Sequence, residues 1–218
     1  MDPVTLDILD LLVVSVVIFI ASLTVNSLGF GYGMVGAPLM LLALDAQDTV
    51  VILGPTAVMA GFLTFWRNKH YVNWKELTPI VTLGTIGAVT GLYILATSDE
   101  KLIKIAIVVI IVPLTLISFL NPTSLKEKMP FPKIVGPTAG YFAGLMLGAM
   151  AIGGPVLVLF MMIQGWTSHK IRASMSFCLA CFISAASIGF WPAGLYSKSN
   201  VSLIGLSIIP LILGSIAG

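Results

Sequence analysis

The stretch Gly-Phe-Gly-Tyr-Gly-Met-Val-Gly-Ala-Pro at residues 29–38 interrupts a long apolar run, and an altered copy, Gly-Ala-Met-Ala-Ile-Gly-Gly-Pro, interrupts another at residues 148–155. Glycine and proline are both poor residues for a helix interior. Three residues of the first stretch stand 117 positions ahead of their counterparts, so that Gly31, Gly36 and Pro38 pair with Gly148, Gly153 and Pro155. The sequence therefore predicts two broken helices at matching places in two halves of the chain.

The composition sets the class of protein. Of the 218 residues, 58% are hydrophobic and only 9% are charged, and the mean hydropathy is +1.06. A soluble domain carries about a quarter charged residues, so we expect an all-α polytopic membrane protein with the lipid bilayer as its partner. Paired helix breaks in such a chain are typical of a carrier whose site lies at the interruptions. The net charge of +2 is spread over several loops and excludes a nucleic-acid partner.

The apolar runs predict seven to eight transmembrane helices plus short half-helices. A membrane-spanning helix needs about 20 residues, and the runs at 34–46 and 153–166 are too short to cross comfortably alone. We interpret these two as half-helices, or as helices that re-enter after the glycine break, which protein or a water-filled cavity must cover. Residues 9–29 are expected to remain as the first membrane helix, because the acidic N-terminus does not resemble a cleaved signal.

An internal repeat divides this single transmembrane domain, residues 1–218. Repeat one is residues 1–120, a proline-containing linker follows at 121–133, and repeat two is residues 134–218. Residues 74–91 align with residues 201–218, which pairs Gly87 with Gly214 and Gly91 with Gly218. Repeat two is expected to lack its last helix, since the chain stops within this hydrophobic run.

The relative orientation of the repeats is left open. With four crossings per repeat, the Lys and Arg residues split seven against four between the two sides of the membrane. If the half-helices also cross, each repeat has five crossings and the repeats are inverted. The Lys and Arg residues then split nine against two, and the nine are the main clusters together with Lys198. The shortness of the half-helices favours the first arrangement and the positive-inside rule favours the second.

The chain resembles the TauE/SafE family of membrane permeases, which is associated with the export of sulfite, organosulfonates and related anions. The resemblance rests on the motif GFGYGMVGAPLMLL at 29–42, on Tyr-Val-Asn-Trp-Lys at 71–75, on the glycines of the second break, and on Lys-Ile-Arg-Ala-Ser at 170–174. It implies transport of a small sulfur-containing anion, no enzymatic activity, and a multi-pass protein of a prokaryotic cell membrane. The family pattern usually has a richer glycine cluster at the first break, where this chain has Tyr32 and Met34.

An anion site needs hydrogen-bond donors without a permanent tight counter-charge. The first N–H groups of a helix have no partner, and the helix dipole adds partial positive charge there. Glycines at the two breaks would expose such backbone donors, and neutral side chains would add hydrogen bonds. The alternative is that these glycines only allow close helix packing. The predicted substrate-binding residues are Asn26, Gly31, Tyr32, Gly33, Gly36, Thr56, Gly148, Gly153, Gly154, Arg172, Ser174 and Ser176.

Arg172 has two interpretations of equal weight, an anion gate and an ordinary interfacial cation. No Asp or Glu lies in the middle of an apolar run, so we expect facilitated or potential-driven movement of the anion. The two His residues lie in loops, and Cys178 and Cys181 are three apart in an apolar run, so no metal, cofactor or catalytic group is expected. An anion channel and an assembly subunit without transport are the alternative functions, and a homodimer is left open.

Overall fold

The computed structural model describes residues 8–99, 101–103, 105, 109 and 131–218, and every regular element among them is helical. The chain order is α1 (Ile8–Leu28), α2 (Tyr32–Met40), α3 (Ala46–Asn68), a 3₁₀ turn (Lys69–Tyr71), α4 (Trp74–Thr97), α5 (Pro132–Met150), α6 (Gly154–Ile163), α7 (Ser168–Phe190), α8 (Lys198–Leu206) and α9 (Ile208–Ala217). The predicted helix at 101–120 and most of the linker at 121–133 lie outside the described residues.

Within the described part of the chain, five segments are long and apolar enough to cross a membrane. They are Asp10–Leu28, Ala46–Tyr71, Trp74–Thr97, Ser168–Phe190 and Lys198–Ala217. The expected seven to eight membrane-spanning helices are not confirmed: α5 (Pro132–Met150) is not among these five segments, and the helix at 101–120 lies outside the described residues. The two runs that follow the breaks, which were expected as half-helices, form helices of 9 and 10 residues. The protein is a multi-pass helical membrane protein.

Local sequence explains where several helices begin. Asn73 caps α4, as its position before Trp74 predicts: its side chain accepts a hydrogen bond from the Lys75 backbone N–H at 3.2 Å and donates one to Glu76 at 2.9 Å. Proline occupies the first turns of α5 and α6, where its missing N–H costs nothing. A side-chain cap thus marks the start of α4, and prolines mark the starts of the two helices that flank the second break.

The short helix α2 folds back along α1. Gly36 of α2 packs against both Ala21 of α1 and Leu53 of α3, while Asn26, further along α1, bonds to Thr64, further along α3. Helices α1 and α3 therefore run in the same direction, and α2 runs in the opposite direction between them. Helix α6 likewise folds back along α5, since Gly153 at its start faces Ala143 and Phe160 near its end faces Gly136.

Close backbone contacts join the remaining helices. Helices α4 and α5 run parallel, and a Cβ at Gly87 or Gly144 would overlap a carbonyl oxygen of the other helix. Helices α1 and α9 also run parallel, with Gly214 against the carbonyl of Phe19. Helices α3 and α7 are antiparallel, because Gly61 lies against Ala180 whereas Gly54 lies against Phe190. These contacts place α2 and α6 inside the bundle, each between longer helices.

Most of the described Lys and Arg residues lie at one end of the bundle, which we call the cation-rich end. It carries six of the eight Lys and Arg residues that the structure describes, namely Arg67, Lys69, Lys75, Lys133, Lys170 and Arg172. Lys101 and Lys198 lie at the other end, where Asn200 bonds to Asp48 at 2.8 Å and Gln47 to Leu95 at 3.2 Å. The seven-against-four split is therefore wrong, since it assigned Lys170 and Arg172 to the side opposite residues 67–75. The nine-against-two split is wrong for Lys198, which it placed with the main clusters.

Candidate functional site

The first helix break occupies residues 29–31. Gly29 and Gly31 have φ angles of 88° and 97°, a left-handed conformation that residues with a Cβ rarely adopt. Helix α1 therefore ends at Leu28, and α2 begins at Tyr32 with Gly31 as its N-cap. No side chain caps α2, so its first backbone donors point away from the helix without a side-chain partner.

The second break occupies residues 151–153 and has a similar shape. Ala151 takes the left-handed conformation, with a φ angle of 58°, and ends α5. Helix α6 begins at Gly154, again with no side-chain cap. The N-cap residues Gly31 and Gly153 are 122 positions apart, not 117. Pairing by residue identity matched Gly31 with Gly148, which instead lies inside α5 against the carbonyl of Ala88.

The two breaks touch each other. A Cβ at Gly33, in the first turn of α2, would overlap the carbonyl oxygen of Ala151. A Cβ at Gly154, in the first turn of α6, would lie 3.4 Å from the Cβ of Phe30. The start of α2 therefore packs on the second break, and the start of α6 packs on the first break. Because α2 and α6 run in opposite directions, their N-terminal ends approach this crossing from opposite sides.

A cavity of about 20 Å³ lies at the crossing. It borders Ala57 and Gly61 midway along α3, and Leu179 and Ile183 midway along α7. A void needs about 10–15 Å³ to hold one water molecule, so this cavity has room for about one water. The predicted site residues that line it come from both breaks, and they are Gly31, Tyr32, Gly33, Gly153 and Gly154.

Buried hydroxyl groups surround Tyr32. The Tyr32 side chain is 4% exposed, and its hydroxyl lies close to those of Ser22 and Thr56 without forming a well-aligned hydrogen bond with either. The Ser22 hydroxyl also has no partner among the described residues, whereas Thr56 donates to the carbonyl of Ile52 at 2.9 Å. Buried polar groups normally have a partner, so the hydroxyls of Ser22 and Tyr32 are two hydrogen-bonding groups that the described residues leave unsatisfied.

Arg172 braces the first break. Its guanidinium donates to the carbonyl of Ser27 in the last turn of α1, and its side-chain stem lies over Gly29. Ser176, one turn further along α7, donates to the carbonyl of Arg172 at 2.8 Å and approaches the carbonyl of Gly29 at 3.5 Å. These two predicted residues therefore contact the backbone at the end of α1, and neither lines the central cavity.

The five other predicted residues also lie outside the cavity lining, namely Asn26, Gly36, Thr56, Gly148 and Ser174. Asn26 is 5% exposed, and its amide donates to Ser215 at 3.0 Å and accepts from Thr64 at 2.9 Å, which joins α1, α9 and α3. Gly36 packs against Leu53, and the hydroxyl of Ser174 is buried without a partner. Their proposed contact with a substrate stays a prediction.

Sequence reasoning missed several residues of the crossing. Phe30 and Ala151 at the crossing were not predicted, although Phe30 lies within the quoted motif, and neither was Ser22, whose hydroxyl lies close to that of Tyr32. Residue type could not predict the helix end at Ala151, because alanine is the best helix former. Ser22 could have been found as a polar residue in the middle of a long apolar helix.

The comparisons with known proteins identify one family. The family model described as "Sulfite exporter TauE/SafE" matches residues 14–218. No curated protein and no solved structure matches the chain. The match covers both helix breaks and all the helices around them, and the chain therefore belongs to the TauE/SafE sulfite exporter family, whose members are membrane transporters of sulfur-containing anions such as sulfite.

Proposed function

We propose that this protein carries small sulfur-containing anions, such as sulfite or sulfonates, through a site at the membrane midplane where its two helix breaks cross. The observation that carries the proposal is the direct contact between the breaks, in which Gly33 lies on the carbonyl of Ala151 and Gly154 lies against Phe30. This contact brings the uncapped beginnings of α2 and α6 to one cavity.

The electrostatics of this arrangement favour an anion. A helix N-terminus carries roughly half a positive charge, and its free N–H groups point outward. Two such ends face the cavity, and Arg172 adds a full positive charge at the end of α1. Ser22, Tyr32 and Thr56 offer neutral hydroxyls beside it. An oxyanion in this position would exchange its water shell for backbone and hydroxyl donors.

We further infer that the chain is built from two inverted repeats, in which each short helix crosses the membrane together with the non-helical residues on either side of it. The support comes from equivalent contacts: Gly87 packs on the carbonyl of Tyr141, and Gly214 packs on the carbonyl of Phe19. Tyr141 and Phe19 are 122 positions apart, the spacing of the two N-caps. The antiparallel arrangement of α3 and α7 agrees with inversion. The positive-inside rule then makes the cation-rich end cytoplasmic.

The size of the central cavity favours a carrier over a channel. A space for about one water cannot hold sulfite, so the helices must move before an anion enters. An open anion channel would instead need a continuous path. In the described membrane segments, acidic residues occur only near helix starts, at Asp10, Asp48 and Glu76. This placement supports facilitated or potential-driven transport of the anion itself.

Uptake into proteoliposomes tests the proposal. The purified protein is reconstituted, and entry of labelled sulfite, thiosulfate, sulfoacetate and taurine is measured with and without ion gradients. Saturable uptake of at least one anion is the expected result. Flux that does not saturate would favour the channel, and absence of flux in a folded protein would favour the assembly subunit.

A pair of variants locates the site. Gly154→Ala places a methyl group 3.4 Å from Phe30, an ordinary van der Waals distance, so the fold is expected to survive while the cavity is filled. Gly205→Ala, where a Cβ meets nothing within 4 Å, is the matched control. Uptake should be lost only in Gly154→Ala. Full activity of that variant would contradict a site at the crossing.

A further inference from the structure

A second cavity, of about 740 Å³, opens at the cation-rich end. We call it the basic vestibule and define it by Lys75, Glu76, Lys133, Phe160, Trp166 and Lys170. It shares no lining residue with the central cavity and lies between the ends of α4, α5, α6 and α7. It is thus a separate feature of the molecule.

The basic vestibule has an excess of positive charge. Its described lining contains three Lys residues and one carboxylate. Neither Lys75 nor Lys133 forms an ion pair with any residue that the structure describes. Helices α4, α5 and α7 all begin at this end, so three positive dipole ends add to the field. The lining is therefore suited to an anion.

The one carboxylate of this lining, that of Glu76, already forms an ion pair with Lys170. Lys170 Nζ lies 2.5 Å from Glu76 Oε2 and 4.0 Å from the centre of the Trp166 ring. The other Glu76 oxygen accepts a hydrogen bond from Asn73 at 2.9 Å, which fixes the carboxylate at the start of α4. Glu76 therefore stands where an incoming anion would meet Lys170.

Most of the remaining lining of the vestibule is apolar. Phe160 and Ile80 pack on Gly136, Pro79, Pro137 and Trp166 extend this wall, and Gln164 and Thr167 are its polar members. Cavities of about 300–1,000 Å³ hold small organic molecules, and 740 Å³ is generous for an oxyanion alone. A ligand that contacted both the basic and the apolar part of the vestibule would place an oxyanion among the lysines and an apolar body against the aromatic rings.

We propose that the basic vestibule binds an amphiphilic oxyanion, a sulfonate or phosphate group on a short apolar body, in competition with Glu76 for Lys170. Such a ligand arrives either from solution as an organic anion or from the bilayer as the head group of an anionic lipid. The proposal does not require that the central crossing transports anything, because the two cavities have separate linings.

Calorimetric titration of the full chain in neutral detergent tests the source in solution, with hexane-1-sulfonate as the probe and sulfate as the comparison. Lys170→Gln should weaken hexanesulfonate binding about five-fold or more, and Lys133→Gln should also weaken it. Glu76→Gln should tighten binding by roughly two- to five-fold, the range of an exposed ion pair, because glutamine keeps the cap with Asn73 but releases Lys170. Lys198→Gln, at the other end of the bundle, is the matched control and should change nothing.

Native mass spectrometry tests the bilayer source. The protein is extracted from bilayers of phosphatidylcholine and phosphatidylglycerol, and the phosphatidylglycerol molecules that it retains are counted. Retention that is lost in Lys133→Gln/Lys170→Gln, but kept in Lys198→Gln, would support the proposal with a lipid as the ligand. Binding of neither probe, or equal binding by the wild type and the double variant, would overturn it. Weaker binding by a folded Glu76→Gln protein would overturn the competition between the ligand and Glu76.

Discussion

Replacing Arg172, a cation that contacts the first break, separates two roles for this residue. In the structure, its guanidinium donates to the carbonyl of Ser27, and its stem covers Gly29, so its donors are directed at the backbone of α1. If this contact holds the break in shape, Arg172→Met should lower both the stability of the fold and the maximal rate of transport. If Arg172 is instead the first contact of the anion, the variant should raise KM and leave stability almost unchanged.

The expected loss of stability follows from the contacts of the guanidinium. A hydrogen bond from a charged donor contributes about 1.5–3 kcal/mol, and a cation at a helix C-terminus about 0.3–2 kcal/mol. The two contributions overlap, and Arg172 is half-buried, so we expect Arg172→Met to cost about 2–4 kcal/mol. Arg172→Lys keeps the charge but loses the planar fork, and its loss should be about half as large.

Reversible unfolding in mixed micelles measures the stability, and initial rates of uptake by proteoliposomes measure KM and the maximal rate. Arg67→Met is the matched control, because Arg67 also donates to a helix carbonyl, that of Ser215 at 3.1 Å, but does not touch either break. The control should lose stability while keeping its rate per folded molecule. A stable Arg172→Met protein, within about 0.5 kcal/mol of the wild type, with a greatly raised KM would refute the bracing role.

Three further variants test the surroundings of the crossing. Tyr32→Phe removes a buried hydroxyl that has no partner among the described residues, so the unfolding free energy should rise by about 1 kcal/mol. Uptake should fall if that hydroxyl donates a hydrogen bond to the anion. Unchanged uptake would mean that Tyr32 is not part of the site. Asn26→Leu should cost about 1–3 kcal/mol through the lost bonds to Thr64 and Ser215, and a change in KM without loss of stability would mean that Asn26 contacts the anion. Gly33→Ala should abolish the peak of folded protein in size-exclusion chromatography, because its Cβ would overlap the carbonyl of Ala151, whereas Gly205→Ala should keep that peak.

The sequence predicted the class of fold and the places where the helices break. Glycine and proline interrupt helices for local reasons, so the positions of the breaks follow from residue type. The spacing between the breaks was shifted by five residues, because Gly148 looked like Gly31. Gly31 is needed for its positive φ, whereas Gly148 is needed for close contact with Ala88. Residue type alone does not distinguish these two uses of glycine.

The roles of the polar side chains depend on partners that are remote in sequence. Arg172 bonds to a carbonyl 145 positions earlier in the chain, and Asn26 bonds to Ser215, which is 189 positions later. No periodicity or motif encodes such contacts, because they arise only when α1, α7 and α9 pack together. The sequence could therefore identify these residues as candidates, but not whether their hydrogen bonds face a substrate or the protein itself.

The charge at the crossing decides which anions it would prefer. At each break a negative helix end meets a positive helix start, and their half-charges nearly cancel. Arg172 neutralises the carbonyl end of α1, and among the described residues no Lys or Arg bonds to the end of α5. The crossing therefore has a net charge of about +1, which matches a monoanion. We expect monoanionic sulfonates, such as methanesulfonate, to be taken up faster than the sulfate dianion, with Arg172→Met reducing that preference. Equal uptake of sulfate would contradict this charge balance.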